Sequence, residues 1–408
     1  MTSADVAVVG GGPAGAAAAI ALARAGRSVV LFDKARFPRD KCCGDGLTTG
    51  ALRRLEVLGL DPRSVPSWQP IRDVWVRSPS GRTVDFALPS GDGVFGVVAR
   101  RVDLDAALLD VARAAGVKVH DGHAVRDVRA DGESIALEVD GIGSVTVPFV
   151  VAADGMWSPV RKALGCSDEP GYLGEWHAFR QYFTGVGPAA TGQLWVWFEQ
   201  DLLPGYAWSF ALPGGIANVG FGIHRRSGSP TSEMKSLWLD LLERPHIRSV
   251  LGPMCRSEAP HKAWPIPARI GGTELVAARG RVLFVGDAAR APDSMTGEGI
   301  GQALETGQLA AAAISRASPR TPGLVGRFYR RSVKAGLARD DKIALALSRV
   351  LVHSRGARGA VRLADATDWT RRNFARWMFE DYPRAILATP RRWHAGVLHG
   401  PGAFGDNS

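Results

Sequence analysis

The sequence predicts an α/β fold with an inserted antiparallel β-sheet domain and a helical C-terminal region. At the N-terminus, the apolar run at residues 6–9 is followed by a glycine cluster and an alanine-rich segment, as in a strand, a turn and a helix. Between residues 171 and 267, aromatic side chains alternate with smaller ones, which is typical of antiparallel strands. Residues 342–352 carry apolar side chains at helical spacing within a basic segment.

Length and composition are those of an ordinary globular protein with two domains, or with one large domain and a cap. The 408 residues are 46% apolar and 22% charged. There are four cysteines, of which Cys42 and Cys43 are adjacent, and this usage predicts neither a disulfide framework nor a metal site. The charge-free run 6–23 contains four glycines and a proline, and no Lys or Arg precedes it, unlike a signal peptide or a transmembrane helix. We therefore expect a cytoplasmic protein.

A nucleotide-binding motif begins the chain. The run 6–9 is typical of a buried parallel strand, and residues 10–15 contain G-x-G-x-x-G. Segment 16–25 predicts a helix and segment 28–32 a second strand, which ends on Asp33. In this Rossmann-type motif the glycines allow a tight turn, close approach of a pyrophosphate and helix packing, while the acid binds ribose hydroxyls. A dinucleotide cofactor is therefore predicted. Its predicted contacts here are Gly10, Gly12, Pro13, Ala14, Gly15, Asp33 and Lys34.

A second glycine-rich segment lies after residue 280. The apolar run 282–285 predicts a strand, Gly286 and Asp287 end it, and residues 296–299 open a predicted helix. An aspartate suits a sugar-like hydroxyl, and the bare N–H groups of a helix N-terminus direct positive charge at a ligand. In a flavoenzyme that ligand is the ribityl chain and the N1–C2=O edge of the isoalloxazine. The predicted contacts are Gly286, Asp287, Gly297, Gly299 and Ile300.

Other candidate contacts lie between these motifs. Residues 37–47 are polar and rich in glycine, so they form either a loop beside a ligand or an ordinary surface loop. Arg101, at the start of a predicted helix at 104–115, either reaches the pyrophosphate or is an exposed helix-start arginine. The candidates from these segments are Cys43, Gly44 and Arg101.

The region between residues 117 and 155 predicts strands. Residues 117–120 and 124–125 predict a third strand and its continuation, and residues 135–139 with 144–147 predict a hairpin. Residues 149–153 predict another buried strand, which ends beside an Asp-Gly pair. The candidate cofactor contacts are Val125, Asp154 and Gly155.

Three of these segments resemble the fingerprints of para-hydroxybenzoate-hydroxylase-type flavoproteins. They are the glycine motif at 10–15, Ala-Asp-Gly at 153–155 and Gly-Asp at 286–287. The resemblance implies FAD as the cofactor. It also implies a Rossmann-type FAD-binding domain with an inserted antiparallel β-sheet substrate domain and a helical C-terminal region.

Within that group the chain is similar to the geranylgeranyl reductase family. The motifs are CCGDGL at 42–47, PGYAWSF at 204–210 and TGEGI at 296–300, and the similarity spans roughly residues 5 to 350. The chain departs from the family where Ala211 follows the aromatic motif, and where Cys43 rather than Cys42 aligns with the family's cysteine.

The resemblance divides the chain into six segments. The FAD-binding domain is predicted at 1–68, 101–165 and 276–330, the substrate domain at 69–100 and 166–275, and a basic helical region at 331–408.

The resemblance implies reduction of isolated double bonds in a lipid-linked or diphosphate prenyl chain. An FAD-dependent monooxygenase or halogenase is the alternative, since Tyr206-x-Trp208-x-Phe210 is similar to the halogenase W-x-W-x-I-P, without its first Trp and its Ile-Pro. A flavin-binding protein without catalysis is a third class. The CGDG loop and the PGYAWSF segment together favour the reductase.

The predicted catalytic residues are Cys43, Tyr206 and Trp208. Tyr206 and Trp208 lie two apart on a predicted strand, so both face one side and would shape an apolar slot over the flavin. Cys43, Tyr206 or a bound water would deliver the proton. Because one nucleotide-binding fingerprint is present, NAD(P)H would visit the flavin transiently, or a separate reductase or ferredoxin would supply electrons.

Two patterns were open to more than one interpretation. Aromatics of the middle segment, such as Trp195 and Trp197 against Leu194 and Val196, line a ligand tunnel or form sheet core. Residues 316–408 carry 18 Lys and Arg against 7 Asp and Glu, a net charge of +11 within a chain of +10. This basic tail suits an anionic membrane surface or a diphosphate headgroup, or is a solvated helical face. No nucleic-acid partner is predicted, because no reader motif accompanies the charge.

Overall fold

The computed structural model describes residues 4–89, 91, 93–166, 171–225, 233–379 and 400–405. The α-helices are α1 (Pro13–Arg24), α2 (Thr49–Val57), α3 (Arg101–Ala114), α4 (Pro159–Ala163), α5 (Met234–Glu243), α6 (Pro245–Leu251), α7 (Ile300–Ser315), α8 (Pro322–Ala335), α9 (Leu337–Leu351), α10 (Ser354–Ala364) and α11 (Asp368–Phe379). The β-strands are β1 (Val6–Val9), β2 (Val29–Asp33), β3 (Gly46–Thr48), β4 (Gln69–Pro70), β5 (Asp73–Arg77), β6 (Thr83–Ala87), β7 (Gly96–Val98), β8 (Lys118–Asp121), β9 (Val125–Ala130), β10 (Ile135–Val139), β11 (Gly143–Val147), β12 (Phe149–Ala152), β13 (Trp176–Thr184), β14 (Gln193–Trp197), β15 (Tyr206–Leu212), β16 (Ile216–His224), β17 (Arg256–Ser257), β18 (Lys262–Ile266), β19 (Val276–Ala277) and β20 (Val282–Phe284).

A parallel sheet forms the core of the cofactor-binding domain. Its strand order is β19-β20-β12-β1-β2-β8, and every pairing except that of β19 with β20 is parallel. The four residues of β1 are buried, as expected for a parallel strand in the interior of a core. The predicted strand–helix–strand motif is confirmed, although α1 begins at Pro13 rather than at residue 16, because proline is suited to the first helical position.

One strand prediction is wrong. Residues 124–125 do not continue the third strand, because β8 ends at Asp121 and the chain turns at Gly122, whose φ is +85°. Val125 instead begins β9, which pairs with β10 in a separate antiparallel sheet of order β11-β10-β9. The predicted hairpin of β10 and β11 in that sheet is confirmed.

The aromatic middle segment forms a large, mainly antiparallel sheet. Its order is β17-β13-β16-β15-β14-β5-β6, and β18 also pairs with β13. One face packs on α5 and α6 through a cluster that includes Trp197, Phe221 and Trp238. The other face is turned toward the cofactor-binding domain. A small sheet of order β3-β7-β4 lies between the two and carries the end of the 37–47 loop.

The described part of the C-terminal region contains four helices, α8 to α11. The predicted helix at 342–352 lies within α9, whereas the predicted domain boundary at 330/331 falls inside α8, which runs from Pro322 to a break at Gly336. Asp341 of α9 accepts a hydrogen bond from Ser294 at 2.7 Å and so ties this region to the loop before α7. The predicted basic region also includes residues 380–399 and 406–408, which lie outside the described residues. Within the described ranges, no helix is long and apolar enough to cross a membrane.

Candidate active site and cofactor cradle

A cavity of about 1060 Å³ lies between the parallel sheet, the large sheet and the C-terminal helices. The carboxyl ends of β1, β2 and β12 and the turn after β20 form one end, which is where α/β folds bind ligands. Among the predicted site residues, only Gly15 is not on its wall. The wall contains Gly10, Gly12, Pro13, Ala14, Asp33, Lys34, Cys43, Gly44, Arg101, Val125, Asp154, Gly155, Tyr206, Trp208, Gly286, Asp287, Gly297, Gly299 and Ile300.

The glycines of the first motif have different physical roles. Gly10 has φ +106°, and a Cβ there would lie 2.2 Å from the carbonyl oxygen of Ala153. A Cβ on Gly15 would lie 1.8 Å from the carbonyl oxygen of Gly10, so Gly15 packs α1 on β1. By contrast, a Cβ on Gly12 would meet nothing nearer than guanidinium nitrogens of Arg39 and Arg101, at 3.6 and 3.8 Å. Gly12 therefore keeps space open toward the cavity, as close approach of a pyrophosphate requires.

The N-terminus of α1 is directed at this space. Among the described residues, no side chain caps the helix, so its first N–H groups are available to an anion. The Asp33 carboxylate accepts hydrogen bonds from the Gly11 N–H at 2.6 Å and the Ala35 N–H at 2.8 Å. Because a carboxylate has about four acceptor positions, these bonds fix the turn and still leave capacity for ribose hydroxyls.

Two arginines stand beside Gly12. Arg101, the first residue of α3, is buried and donates from Nε and Nη2 to Asp105, at 2.7 Å each. Arg39 lies 3.2 Å from the same carboxylate. Arg101 is therefore not the exposed helix-start arginine of the alternative interpretation. Two guanidinium groups around one buried carboxylate leave net positive charge for a pyrophosphate. Sequence reasoning missed Arg39, although it lies in the polar 37–47 segment.

The second glycine-rich segment forms the other part of the cradle. Gly286 has φ +58°, and a 3₁₀ turn at Gly286–Ala289 follows β20 and carries Asp287. Gly299 caps α7, where again no described side chain occupies the N-terminus. The loop between them is held by Asp293, which accepts from the N–H groups of Met295 and Thr296 at 2.9 and 2.7 Å. The N–H groups in the first turn of α7, which no described side chain caps, are suited to the negative charge of a reduced flavin ring.

Asp154 uses its side chain within the protein. Its carboxylate accepts from the Ser158 hydroxyl at 2.7 Å and from the Val160 N–H at 2.9 Å, which fixes the start of α4. Burial raises the pKa of Asp154 to about 6. The predicted contact to the cofactor from this segment therefore falls to the backbone of Asp154 and Gly155, which lines the cavity.

The three predicted catalytic residues meet on one wall of the cavity. The ring centroids of Tyr206 and Trp208 lie 6.0 Å apart on β15, on the same side of the sheet. The Tyr206 hydroxyl donates to the carbonyl oxygen of Thr296 at 2.5 Å, and burial raises its pKa. The Cys43 sulfur accepts from the Asp45 N–H at 3.3 Å, and burial likewise raises the pKa of the thiol. Neither group is poised to release a proton.

The alternation in β14 separates the two interpretations of the aromatic residues. Leu194 and Val196 line the cavity, whereas Trp195 and Trp197 belong to the core behind the sheet, where Trp195 stacks on Trp75 at 5.1 Å. Some aromatics are therefore tunnel wall and others are sheet core, according to the face on which they lie.

Sequence reasoning missed a buried polar cluster behind the slot. Asp45, which lines the cavity, accepts from the Tyr182 hydroxyl at 2.5 Å and from the Asn218 amide at 2.8 Å. Asn218 also accepts from the Trp208 indole N–H at 3.1 Å and donates to the Cys43 carbonyl at 2.8 Å. Within the described ranges, no group of three or more His, Cys, Asp or Glu side chains is placed to hold a metal ion.

Comparisons with known proteins identify the family of the chain. Residues 3–214 match the family model described as "FAD binding domain". The chain is 33% identical over 379 residues to a menaquinone reductase of Mycolicibacterium smegmatis, covering 86% of each chain. It is 32% identical to digeranylgeranylglycerophospholipid reductase 1 of Methanopyrus kandleri, covering 75% of this chain and 79% of the relative.

A solved structure has the same fold. It is that of a geranylgeranyl bacteriochlorophyll reductase-like protein from Thermoplasma acidophilum, with a TM-score of 0.79 at 20% identity, over 96% of this chain and 99% of the other. The cradle that Gly12 leaves open and the two uncapped helix N-termini fit FAD. The chain belongs to the geranylgeranyl reductase family of FAD-dependent oxidoreductases.

Proposed function

We propose that this protein reduces isolated carbon–carbon double bonds in the prenyl chain of a lipid molecule. The observation that carries the proposal is the cavity, which joins the cofactor cradle directly to an apolar chamber. The chamber is walled by aliphatic and aromatic groups of the large sheet and of α9 and α10. They are Val76, Leu194, Val196, Phe198, Phe210, Leu347, Leu351 and Val361.

The substrate class is supported by the relatives. Their names refer to menaquinone and to digeranylgeranylglycerophospholipid, and the latter carries prenyl chains on a lipid. In such a reaction, bound FAD supplies a hydride to one carbon of the double bond. The protein holds the apolar chain in the slot beside Tyr206 and Trp208, excludes water from it and provides a proton for the second carbon.

The electron donor is part of the proposal. We infer that NAD(P)H or an electron-transfer protein reduces the FAD from outside, since one nucleotide-binding motif is present and FAD occupies it. Anaerobic bleaching of the flavin spectrum by NADPH, NADH or reduced ferredoxin distinguishes these donors.

A product assay tests the substrate. The photoreduced protein is offered, under anaerobic conditions, a menaquinone with an unsaturated side chain, a geranylgeranyl glycerolipid and geranylgeranyl diphosphate. We expect mass spectrometry to find one or more double bonds saturated in a lipid-linked substrate. Products that are hydroxylated or halogenated in the presence of oxygen, with no saturated product, would instead support the monooxygenase or halogenase alternative.

We also propose that the cavity mouth docks on an anionic bilayer. Of the twelve large hydrophobic side chains that are exposed within the described ranges, five lie between residues 345 and 369. Val350 is both exposed and part of the cavity wall, so the cavity reaches the surface in this region of the chain. Leu363 and Trp369 are 72% and 65% exposed.

Basic side chains accompany these apolar groups. On α9, the exposed residues Lys342, Leu345 and Arg349 are spaced three and four apart, and so share one helix face. On α10, Arg355, Arg358 and Arg362 repeat that spacing, and all three are exposed. A face that combines arginine with leucine and valine suits lipid phosphates and acyl chains. We name the exposed residues of α9 and α10 at the mouth the α9–α10 rim. They are Lys342, Leu345, Arg349, Val350, Val352, Arg355, Arg358, Arg362 and Leu363.

A further inference from the structure

Asp45 is a buried carboxyl group in the loop that carries Cys43. The residue is fully buried, lies on the cavity wall and has φ +67°, a conformation that aspartate tolerates better than most residues. Both hydrogen bonds from Tyr182 and Asn218 go to Oδ2. In the part of the chain that the structure describes, no group donates to Oδ1, although this atom is also shielded from solvent.

An undonated carboxylate oxygen inside a protein is unfavourable. A buried charge costs free energy unless hydrogen bonds satisfy it, and a buried acceptor without a donor costs about 1–3 kcal/mol. A proton on Oδ1 removes the charge and turns that oxygen into a hydrogen-bond donor on a residue of the cavity wall. The arrangement of one saturated and one unsatisfied oxygen in Asp45 therefore favours the neutral acid.

The groups that face Asp45 limit how tightly it holds this proton. Burial raises the pKa of Asp45 to about 6, while the hydrogen bonds of Tyr182 and Asn218 and the charges of Arg180 and Arg101 act in the opposite direction. The Tyr182 ring lies between the Arg100 and Arg180 guanidinium groups, at 4.4 and 4.1 Å. The charged and titratable groups around Asp45 are Cys43 in its own loop, Arg100 and Arg101 at the start of α3, and Arg180 and Tyr182 on β13.

Asp45 is joined to both sides of the slot. Its N–H donates to the Cys43 sulfur, and Asn218 bridges its carboxyl group to the Trp208 indole. The two acids expected from the sequence are less suited to give up a proton. The pKa values of Cys43 and Tyr206 are both raised by burial from ordinary values already above neutral, and the Tyr206 proton is directed at the Thr296 carbonyl.

We propose that the Asp45 carboxyl group supplies the proton consumed when the double bond is reduced. The inference rests on the proposed function, in which a hydride from the reduced cofactor adds to one alkene carbon. The O–H bond of Asp45 breaks, a C–H bond forms at the other alkene carbon, and Asp45 is left as a carboxylate. Tyr182 and Asn218 stabilise that carboxylate through Oδ2, and solvent returns the proton before the next turnover.

The protonation of Asp45 is measured without turnover. Infrared difference spectra of the FAD-loaded protein, recorded across pH 5 to 8, report the carbonyl band of a protonated carboxyl group. We expect a band that disappears as pH rises through about 6 and that is weaker in Asp45→Asn, in which Asp154 still titrates in that range. Glu305→Gln is the matched control, because burial also raises the pKa of Glu305, which pairs with Arg54 and is not on the cavity wall. A parent spectrum identical to that of Asp45→Asn would overturn the proposal.

The pH dependence of flavin reoxidation by a prenyl substrate tests whether Asp45 delivers the proton. The acid is active only when protonated, so the rate constant should fall about tenfold per pH unit above the pKa of Asp45. Tyr182→Phe removes a donor that stabilises the carboxylate, so both the infrared titration and the rate profile should move to higher pH. Asp45→Asn should be slow at every pH and show no such profile.

Different outcomes would contradict the role of Asp45 and the proposed reductase function. An Asp45→Asn enzyme with the parental rate and pH profile would remove Asp45 from proton delivery while leaving the reductase function intact. A parent that reduces no prenyl substrate would end the proposed function, while the infrared titration would still decide whether Asp45 holds a proton.

Discussion

Gly12 is the residue on which cofactor binding most depends. Its φ is −74°, which any residue adopts, and no described protein atom lies within 3.4 Å of an added Cβ. Gly12→Val should therefore fold but lose FAD affinity by at least about tenfold, or about 1.4 kcal/mol, because the new side chain fills the space of the pyrophosphate. Fluorescence titration of the apoprotein with FAD measures this.

Gly323→Val is the matched control for Gly12. Gly323 also lies at the start of a helix, and nothing lies within 4 Å of an added Cβ. We expect this variant to keep FAD. Parental FAD affinity in Gly12→Val would show that the pyrophosphate does not approach α1 at this point.

Substitution of Trp208 tests whether the substrate lies in the slot beside Tyr206 and Trp208. Trp208→Phe keeps an aromatic ring and removes the indole hydrogen bond to Asn218, worth about 1 kcal/mol. We expect unchanged FAD content and slower substrate-dependent flavin reoxidation. Trp197→Phe is the control, since Trp197 is buried in the core on the opposite face of the sheet. Equal rates in both variants, measured by stopped-flow absorbance, would place the substrate elsewhere.

At the scale of elements, the α9–α10 rim should bind anionic vesicles. Each of Arg358→Gln and Arg362→Gln should weaken binding by about 1 kcal/mol, or roughly fivefold, and raising the salt concentration should weaken it further. Leu363→Asp should weaken it by a comparable amount. Leu239→Asp on α5, where Leu239 is 58% exposed, is the control and should bind like the parent.

Vesicle sedimentation measures this binding. Vesicles of phosphatidylglycerol and of phosphatidylcholine are compared at low and high salt, with no substrate present. Equal sedimentation of the protein with both lipids would contradict docking through the α9–α10 rim. So would a loss of vesicle binding in Leu239→Asp equal to that in Leu363→Asp.

The positions of individual strands and helices were predictable from the sequence, whereas the pairing of strands that are distant in sequence was less so. The strand, turn and helix of the first motif depend on neighbours along the chain, and they appear where expected. Strand partners are chosen by contacts distant in sequence, which is why the prediction that residues 124–125 continue the third strand is wrong. The predicted C-terminal boundary at 330/331 falls inside α8, which continues to the break at Gly336.

The residues of the candidate site show the same distinction between local motifs and contacts that are distant in sequence. Apart from Gly15, the motif glycines predicted as cofactor contacts lie on the cavity wall, since their function is local. Tyr182 and Asn218 were missed because they meet Asp45 only through the register of β13 and β16, in which they are directly opposite each other. Arg39 was missed because a loop side chain carries no periodic signal.

At the scale of the whole molecule, FAD should stabilise the fold. The cavity lies between the parallel sheet, the large sheet and the C-terminal helices, so a ligand there binds the folded state alone. With free FAD at about 100 times its Kd, the expected gain is about 2.7 kcal/mol. Scanning calorimetry should show Tm rising with FAD concentration in the parent and much less in Gly12→Val. An FAD-independent Tm in the parent would contradict binding at this interface.

The central claim is that the bound, reduced flavin reacts with a carbon–carbon double bond of a prenyl chain. The most direct measurement is anaerobic stopped-flow absorbance of the photoreduced holoenzyme, mixed with an unsaturated lipid-linked prenyl substrate or with its saturated counterpart. We expect the oxidised flavin spectrum to return with the unsaturated substrate alone, together with one saturated bond per flavin. A flavin that remains reduced with both, and is reoxidised only when oxygen is admitted, would contradict it.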